Sequence, residues 1–171
     1  MIPSDVHTLG NYAFSYCSQL PSVTILGSLS YTGIGEYAFA NCTSLNTVIL
    51  SGNVTTIGRY AFYLCTGLTS LTLSPNLKAI KDYSFQGCSN LSTLAIPSKV
   101  ESIGKYAFQS TTSKLTEIYS LPTTPPSTVD GEFCFDSSIY NKCKLYVPTT
   151  ALTTYQSKKY WKNFYEIIGI Q

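Results

Sequence analysis

The chain has 171 residues, of which 12% are charged, and its formal net charge is +2. This length is typical of one ordinary domain. The weak net charge gives no electrostatic reason to expect a nucleic-acid partner. The sequence contains no run of 18 or more apolar residues, so no segment is expected to span a membrane. A membrane contact would therefore need an anchor outside this chain.

The first residues lack the basic and apolar regions of a signal peptide. Instead, Ile-Pro-Ser-Asp-Val at residues 2–6 matches Ile-Pro-Ser-Lys-Val at residues 96–100, which is the second half of a repeat. We therefore expect Met1 to begin an expressed fragment or a trimmed mature protein. An exterior of Ser and Thr hydroxyls with few charges favours an extracellular or cell-surface protein.

One six-residue phrase, close to Ile-Gly-x-Tyr-Ala-Phe, occurs five times in the chain. Consecutive copies begin 25, 23, 23 and 23 residues apart. A constant period of roughly 20–50 residues is the signature of a solenoid, in which each unit buries its apolar face against the next unit. The copies occupy residues 9–14, 34–39, 57–62, 80–85 and 103–108.

Other residues recur at fixed distances from the repeated phrase. Each of the first four phrases is followed by a Cys, a Leu and then an apolar pair spaced by one residue, such as Leu71 and Leu73. This alternation is typical of a half-buried strand, so each unit predicts one short strand of a parallel sheet. Ala-Phe-x-x-Cys predicts a short helical or 3-10 turn on the opposite side, with the Phe packed inward.

The combined pattern, Leu-x-x-Leu-x-Leu followed by Val-x-x-Ile-Gly-x-x-Ala-Phe-x-x-Cys, resembles the 23-residue leucine-rich repeats of BspA-like surface proteins. The resemblance covers residues 2–148. It implies an α/β fold: a leucine-rich-repeat right-handed solenoid with a parallel sheet of short strands, short helical or 3-10 turns opposite, and a C-terminal helical cap. The residues after Cys143 are similar to the end cap of Bacteroides-type members, which favours a bacterial origin.

The repeat pattern also predicts the domain organisation. Residues 1–148 are expected to form about six coils, the first incomplete, and residues 149–171 a cap of the same domain. Two extra residues at 27–33 and the proline-rich residues 122–126 are expected to form loops. A sixth phrase begins at Gly131. The cap is expected to contain a helix from Ala151 to about Trp161 with a Thr N-cap, and a last strand at residues 164–168.

The six cysteines form two groups. Four occupy one repeat position and are expected to form a column of buried, free thiols rather than a zinc site, because zinc ligands lie much closer in sequence. A bridge between Cys134 and Cys143 remains open at this stage. The four in the column are Cys17, Cys42, Cys65 and Cys88, and Thr111 takes the same position in the fifth copy.

No constellation of catalytic or metal-binding residues stands out. The chain has one histidine, His7, and lacks a nucleophile elbow, a phosphate-binding loop and a zinc-protease motif. Asp130 and Glu132 are read as a solvated turn. We therefore predict a protein that is not an enzyme and that holds no cofactor and no metal.

The exposed strand positions are the candidate binding residues, since leucine-rich repeats usually bind ligands through the concave sheet. The residue between the two inward apolar ones varies from coil to coil and becomes aromatic toward the C-terminus. A repeated Tyr before each Ala-Phe is read instead as a half-buried column, although a binding stripe is the alternative. The predicted ligand-binding residues are Thr24, Ile49, Thr72, Ala95, Tyr119 and Tyr146.

Three functions compete on this evidence. The first is a secreted or surface domain that mediates adhesion through a protein ligand, and the resemblance implies host extracellular-matrix proteins or neighbouring cells as partners. The second is a glycan-binding module that uses Tyr119 and Tyr146 as stacking platforms. The third is a structural spacer. A monomer is expected in each case.

Overall fold

The computed structural model describes residues 1–3, 6–26, 33–111, 114–128 and 133–171. Most of the expected loop at residues 27–33 lies outside the described residues. The start of the sixth phrase at Gly131, and the predicted turn containing Asp130 and Glu132, also lie outside them.

Short strands recur once or twice in every coil, and helices are confined to the C-terminal part of the described chain. The strands are β1 (Ser22–Ile25), β2 (Thr47–Leu50), β3 (Thr56–Ile57), β4 (Ser70–Thr72), β5 (Ala79–Ile80), β6 (Thr93–Ile96), β7 (Ser102–Ile103), β8 (Glu117–Ser120), β9 (Ser127–Thr128), β10 (Lys144–Pro148) and β11 (Ile167–Ile170). One α-helix, α1, covers Leu152–Ser157, and 3-10 helices cover Ser137–Asn141, Thr149–Ala151 and Trp161–Asn163.

All of these strands pair in parallel, and equivalent repeat positions lie directly opposite each other. Val23 pairs with Val48, and Val48 pairs with Leu71. Along β2 the burial alternates between half-buried and buried residues, as expected of a strand with one face on the core. The parallel solenoid predicted from the repeat period is therefore confirmed.

The strands form three sheets rather than the single sheet that the sequence predicts. Strands β1, β2 and β4 form one sheet, and β6, β8, β10 and β11 form another. A third sheet of two-residue strands, in the order β3-β5-β7-β9, contains the Ile of the third, fourth and fifth phrases and was not predicted. The first two sheets together are called the main face here, and the interval between β4 and β6 is called the sheet break.

A column of phenylalanine rings forms the centre of the core. The Phe of each phrase stacks on the Phe of the next, with ring centroids 5.2 Å apart for Phe39 and Phe62 and 5.1 Å apart for Phe62 and Phe85. The column ends at Phe135, which stacks on Phe108 and so marks the predicted sixth phrase. The prediction that the repeated Phe side chains share one interior column is confirmed.

The Ala-Phe-x-x-Cys segments form consecutive tight turns rather than a regular 3-10 helix. Their N–H groups donate three residues back, as from Ala38 to Gly35, but the Tyr of each phrase has a positive φ, 54° at Tyr37. A left-handed residue interrupts a helix. It also turns alternate N–H groups toward the next coil, where Phe39 donates to the Ala61 carbonyl at 2.8 Å.

The repeated Tyr side chains form a second column, as the sequence analysis favoured. Tyr12, Tyr37, Tyr60 and Tyr83 stack in succession with centroids 4.6–4.9 Å apart, whereas Tyr106 is tilted by 50°. These rings are half-buried except Tyr12, which is 59% exposed.

The cysteine column is buried except at its first member. Cys17 is exposed, in contrast to the prediction, because its coil is the first described and no coil covers its outer side. The Cys65 thiol donates to the Phe39 carbonyl of the preceding coil at 3.1 Å, and Cys42 and Cys88 make equivalent bonds. All six cysteines, including Cys134 and Cys143, are free thiols.

The C-terminal part covers the end of the stack with large side chains. Tyr155 and Trp161 are fully buried, while Lys158, Lys159 and Lys162 are exposed, as predicted. The Tyr155 hydroxyl donates to the Pro122 carbonyl at 3.1 Å, and the Trp161 indole donates to the Pro126 carbonyl at 3.2 Å. The proline-rich loop therefore supplies the acceptors that hold these two aromatic residues.

Three details of the cap prediction are wrong. The helix ends at Ser157, because the backbone is extended at Lys158. Its N-cap residue is Ala151, which has no side-chain oxygen, and the Thr149 hydroxyl donates to the Ile170 carbonyl. The last strand covers Ile167–Ile170 rather than residues 164–168, since the buried Phe164 packs against Trp161 before the strand begins.

The phenylalanine column leads to a prediction about stability. In the Phe62→Ala variant we expect the free energy of unfolding to fall by about 3–5 kcal/mol, because a fully buried ring with neighbours on both sides is lost. Urea denaturation followed by circular dichroism measures the change. Phe14→Ala is the matched control and should cost clearly less, since Phe14 is half-buried and stacks on Phe39 alone among the described rings. Equal losses would contradict the central role of the column.

The thiol column leads to a second prediction. Burial raises the pKa of the Cys65 thiol to about 12 and that of Cys42 to about 11, so both stay protonated near neutral pH. Because the thiolate is the nucleophile, iodoacetamide at about pH 8 should modify Cys17 first and the buried thiols only after unfolding. Mass spectrometry of peptides locates the label. Modification of Cys65 in the folded protein, as rapid as at Cys17, would rule this out.

Candidate binding surface

The six predicted binding residues lie on the main face at equivalent positions of successive strands. They are called the outward row here. Register pairs Thr24 with Ile49 and Ile49 with Thr72 in the first sheet. In the second sheet it pairs Ala95 with Tyr119 and Tyr119 with Tyr146, and then Tyr146 with Ile168.

The sheet break divides the outward row into two groups of three. Thr72 is the last member of the first sheet, and Ala95 is the first member of the second. Both are exposed, whereas the other four predicted residues are half-buried. The predicted row is therefore brought together by the fold, but not as one uninterrupted surface.

Tyr119 and Tyr146 form a stacked aromatic pair on the main face and share one hydrogen-bond acceptor. Their rings are stacked with centroids 4.6 Å apart and planes 9° from parallel. Both hydroxyls donate to the Glu117 carboxylate, at 3.3 Å from Tyr119 and 3.4 Å from Tyr146. Burial and the neighbouring Glu117 carboxylate raise the pKa of both phenols, so both remain neutral donors at neutral pH.

A row of charged residues borders this aromatic pair. Lys144 lies opposite Glu117 in register and forms an ion pair with Glu166 at 3.3 Å. The hydrogen bond and charge of Glu166 raise the pKa of Lys144, so its ammonium group stays charged. The alternation of Glu, Lys and Glu leaves little net charge on this part of the main face.

The sheet break opens an apolar groove of about 300 Å³, called the break groove here. Leu71 shows its effect: it occupies the inward position of its strand but is half-buried, whereas its counterparts Val48 and Leu94 are buried. The lining contains no charged side chain and consists of Leu71, Thr72, Leu73, Pro75, Ala95, Pro97 and Leu121.

The missing strand pairing has a partial physical cause at Pro97. After β2, the Ser51 N–H donates to the Ile25 carbonyl, and after β8 the Leu121 N–H donates to the Ile96 carbonyl. Pro97 stands at the equivalent position after β6 and has no N–H to donate to the preceding coil. The edges of β4 and β6 therefore face each other without pairing in the described structure.

The strand alternation in the sequence predicts Thr72 and Ala95 as outward residues, but it does not indicate the break groove between them. Leu71 and Leu73 fit the repeat consensus, so nothing in the pattern marks their partial exposure. Pro97 is the one residue in the sequence that points to the break. Its missing N–H matters only because the preceding coil would otherwise accept a hydrogen bond at that position.

The described residues contain no group of three or more His, Cys, Asp or Glu side chains placed to hold a metal ion. In the same part of the chain, no helix has the length and apolar character needed to cross a bilayer.

Comparison with solved structures finds leucine-rich repeat proteins from bacteria. A leucine-rich repeat protein from Bacteroides ovatus aligns over 100% of this chain and 47% of its own length, with a TM-score of 0.67 and 24% identity. The T. pallidum leucine-rich repeat protein covers 88% of this chain and 70% of its own, with a TM-score of 0.62 and 20% identity.

A third solved structure is a leucine-rich cell surface protein from Faecalibacterium prausnitzii. It covers 85% of this chain and 46% of its own length, with a TM-score of 0.52 and 26% identity. This chain therefore spans about half the length, or less, of two of these three proteins. A comparison with curated proteins finds no match.

The family comparison extends over most of the chain. A model of the BspA-type leucine-rich repeat region matches six copies over residues 1–116. The matched copies include the Ile-Gly-x-Tyr-Ala-Phe phrases from which the solenoid was predicted. The chain belongs to the BspA-type leucine-rich repeat family.

Proposed function

We propose that this chain is a non-enzymatic, extracellular or cell-surface module that mediates adhesion by binding a protein ligand on its main face. The observation that carries the proposal is the break groove, an uncharged apolar site in the middle of an otherwise hydroxyl-rich face. Family membership and the cell-surface protein of F. prausnitzii support the surface location.

The shape and chemistry of the break groove favour an extended segment of a partner protein. The facing edges of β4 and β6 lack the pairing that joins the other strands of the main face. An extended peptide can use such edges for main-chain hydrogen bonds while its apolar side chains enter the groove. Leu71 and Leu121, both partly exposed, would then become buried, which favours binding.

The first functional prediction tests this site. Ala95→Arg places a long charged side chain in the groove and should weaken binding to the protein ligand by about tenfold or more, because a buried unpaired charge is costly. The measurement is surface plasmon resonance against a panel of immobilised extracellular-matrix proteins, first with the unchanged chain and then with the variant.

Ser22→Arg is the matched control, since Ser22 is an exposed outward residue on β1, at the N-terminal end of the main face. It should bind like the unchanged chain. Equal binding by the two variants would place the contact elsewhere. Failure of the unchanged chain to bind any protein of the panel, together with binding to glycans, would favour the second candidate.

The second candidate is a glycan-binding module, and the Tyr119–Tyr146 pair favours it. Their rings cover each other on one side, but Tyr119 faces the small Ala95 side chain on its other side in register. A sugar ring stacked there would contact Tyr119 and lie beside the Glu117 carboxylate, which can accept from sugar hydroxyls.

For this candidate we expect the Tyr119→Ala plus Tyr146→Ala variant to lose signal on a glycan array. Tyr165→Ala serves as the control because Tyr165 is 56% exposed and lies outside the outward row. If the double variant keeps the full set of glycan signals, the stacked pair is not a sugar platform.

A further inference from the structure

A second groove lies at the C-terminal end of the third sheet, away from the outward row. It has a volume of about 190 Å³ and is called the cap groove here. One side is formed by Ser127 and Thr128 of strand β9, and the other by Lys158, Lys159 and Tyr160. Two lysines and three hydroxyl-bearing residues thus line a single small depression.

The two sides of the cap groove are fixed to each other. The Trp161 indole donates to the Pro126 carbonyl at 3.2 Å, which ties the residue after Tyr160 to the residue before Ser127. The Tyr160 ring stacks on the buried Phe133 with centroids 5.2 Å apart. A ligand would therefore meet a groove whose base is already formed, which lowers the cost of binding.

The backbone at Tyr160 is held in a strained conformation. Its φ of 70° and ψ of −50° lie in the γ-turn region that residues other than glycine rarely adopt. Such conformations persist where surrounding contacts fix them, and they gather at ligand-binding sites. Here the strain turns the chain sharply between Lys159 and the buried Trp161, so that Lys158 and Lys159 remain at the surface.

Among the described residues, the lining of the cap groove carries two ammonium groups and no carboxylate. Lys158, Lys159 and Lys162 are all exposed, and none forms an ion pair with another residue in the part of the chain described. The Glu101 carboxylate lines a separate groove with Lys78 and Lys99, and Asp130 and Glu132 lie outside the described residues. The two ammonium groups of the described lining are complementary to an anionic ligand.

We propose that the cap groove binds an anionic glycan, with sulfate or carboxylate groups placed between Lys158 and Lys159 and sugar hydroxyls directed to Ser127 and Thr128. A nucleic acid fits less well, because single-stranded binding uses open aromatic faces. The Tyr160 ring is stacked on Phe133 and has the Lys159 ammonium over it, 5.0 Å from the centroid.

The test measures binding of the complete chain to heparin, used as a sulfated probe, by isothermal titration calorimetry. The Lys158→Gln plus Lys159→Gln variant should bind at least about tenfold more weakly, since one lost charge-assisted hydrogen bond is worth about a tenfold change in affinity or more. Lys114→Gln plus Lys142→Gln removes the same charge from exposed lysines elsewhere and should leave the affinity unchanged.

Three outcomes would overturn the proposal: no binding of heparin by the unchanged chain at about 0.15 M salt, equal weakening in the two double variants, or tighter binding of single-stranded DNA than of heparin. Desulfated heparin, which keeps its carboxylates, separates the contribution of sulfate from that of carboxylate. The Ala95→Arg variant should bind heparin normally, so failure of this site and failure of the protein-binding site are distinguishable.

Discussion

The structure depends on side chains of one coil lying directly over the same side chains of the next. The spacing of about 5 Å between successive phenylalanine rings is close to the spacing of hydrogen-bonded strands, roughly 4.8 Å. Both spacings must hold in every coil. The strand pairing and the ring stacking therefore set the same distance between successive coils along the solenoid axis. The small residues of the phrase follow from this constraint: a Cβ at Gly35 would lie 2.5 Å from the backbone of Gly10.

The same constraint explains why polar groups are repeated inside the core. Each left-handed Tyr directs alternate N–H groups to the next coil. In the cysteine column, the buried thiols of Cys42, Cys65 and Cys88 each donate to a Phe carbonyl of the coil before. In the fifth copy, Thr111 fills the Cys position, but its hydroxyl donates to Phe108 of its own coil. The cysteine thus contributes a link between coils that this threonine does not replace.

The sequence predicted the column of rings because one phrase, repeated in phase, has a single packing solution. It predicted the outward row for the same reason, since strand alternation decides which side chains leave the core. It did not predict the third sheet, because a strand of two residues is too short to show an alternation of apolar and polar side chains. The sequence did not predict the sheet break, because Leu71 fits the repeat consensus. The partial exposure of Leu71 depends on how the neighbouring strand is placed. The cap helix is shorter than predicted because the backbone is extended at Lys158 and has a positive φ at Tyr160, which no residue pattern indicates.

The sheet break has a mechanical meaning. On the main face, strand pairing stops between β4 and β6, while the third sheet pairs across the same interval and Phe62 stays stacked on Phe85. These coils are therefore joined by strand pairing in the third sheet and by ring stacking in the core, but no strand pairing joins them on the main face. Bending that opens the main face meets less resistance here than at the other coil junctions described. A force on a bound ligand would therefore bend the solenoid between these two coils before any paired strands separate.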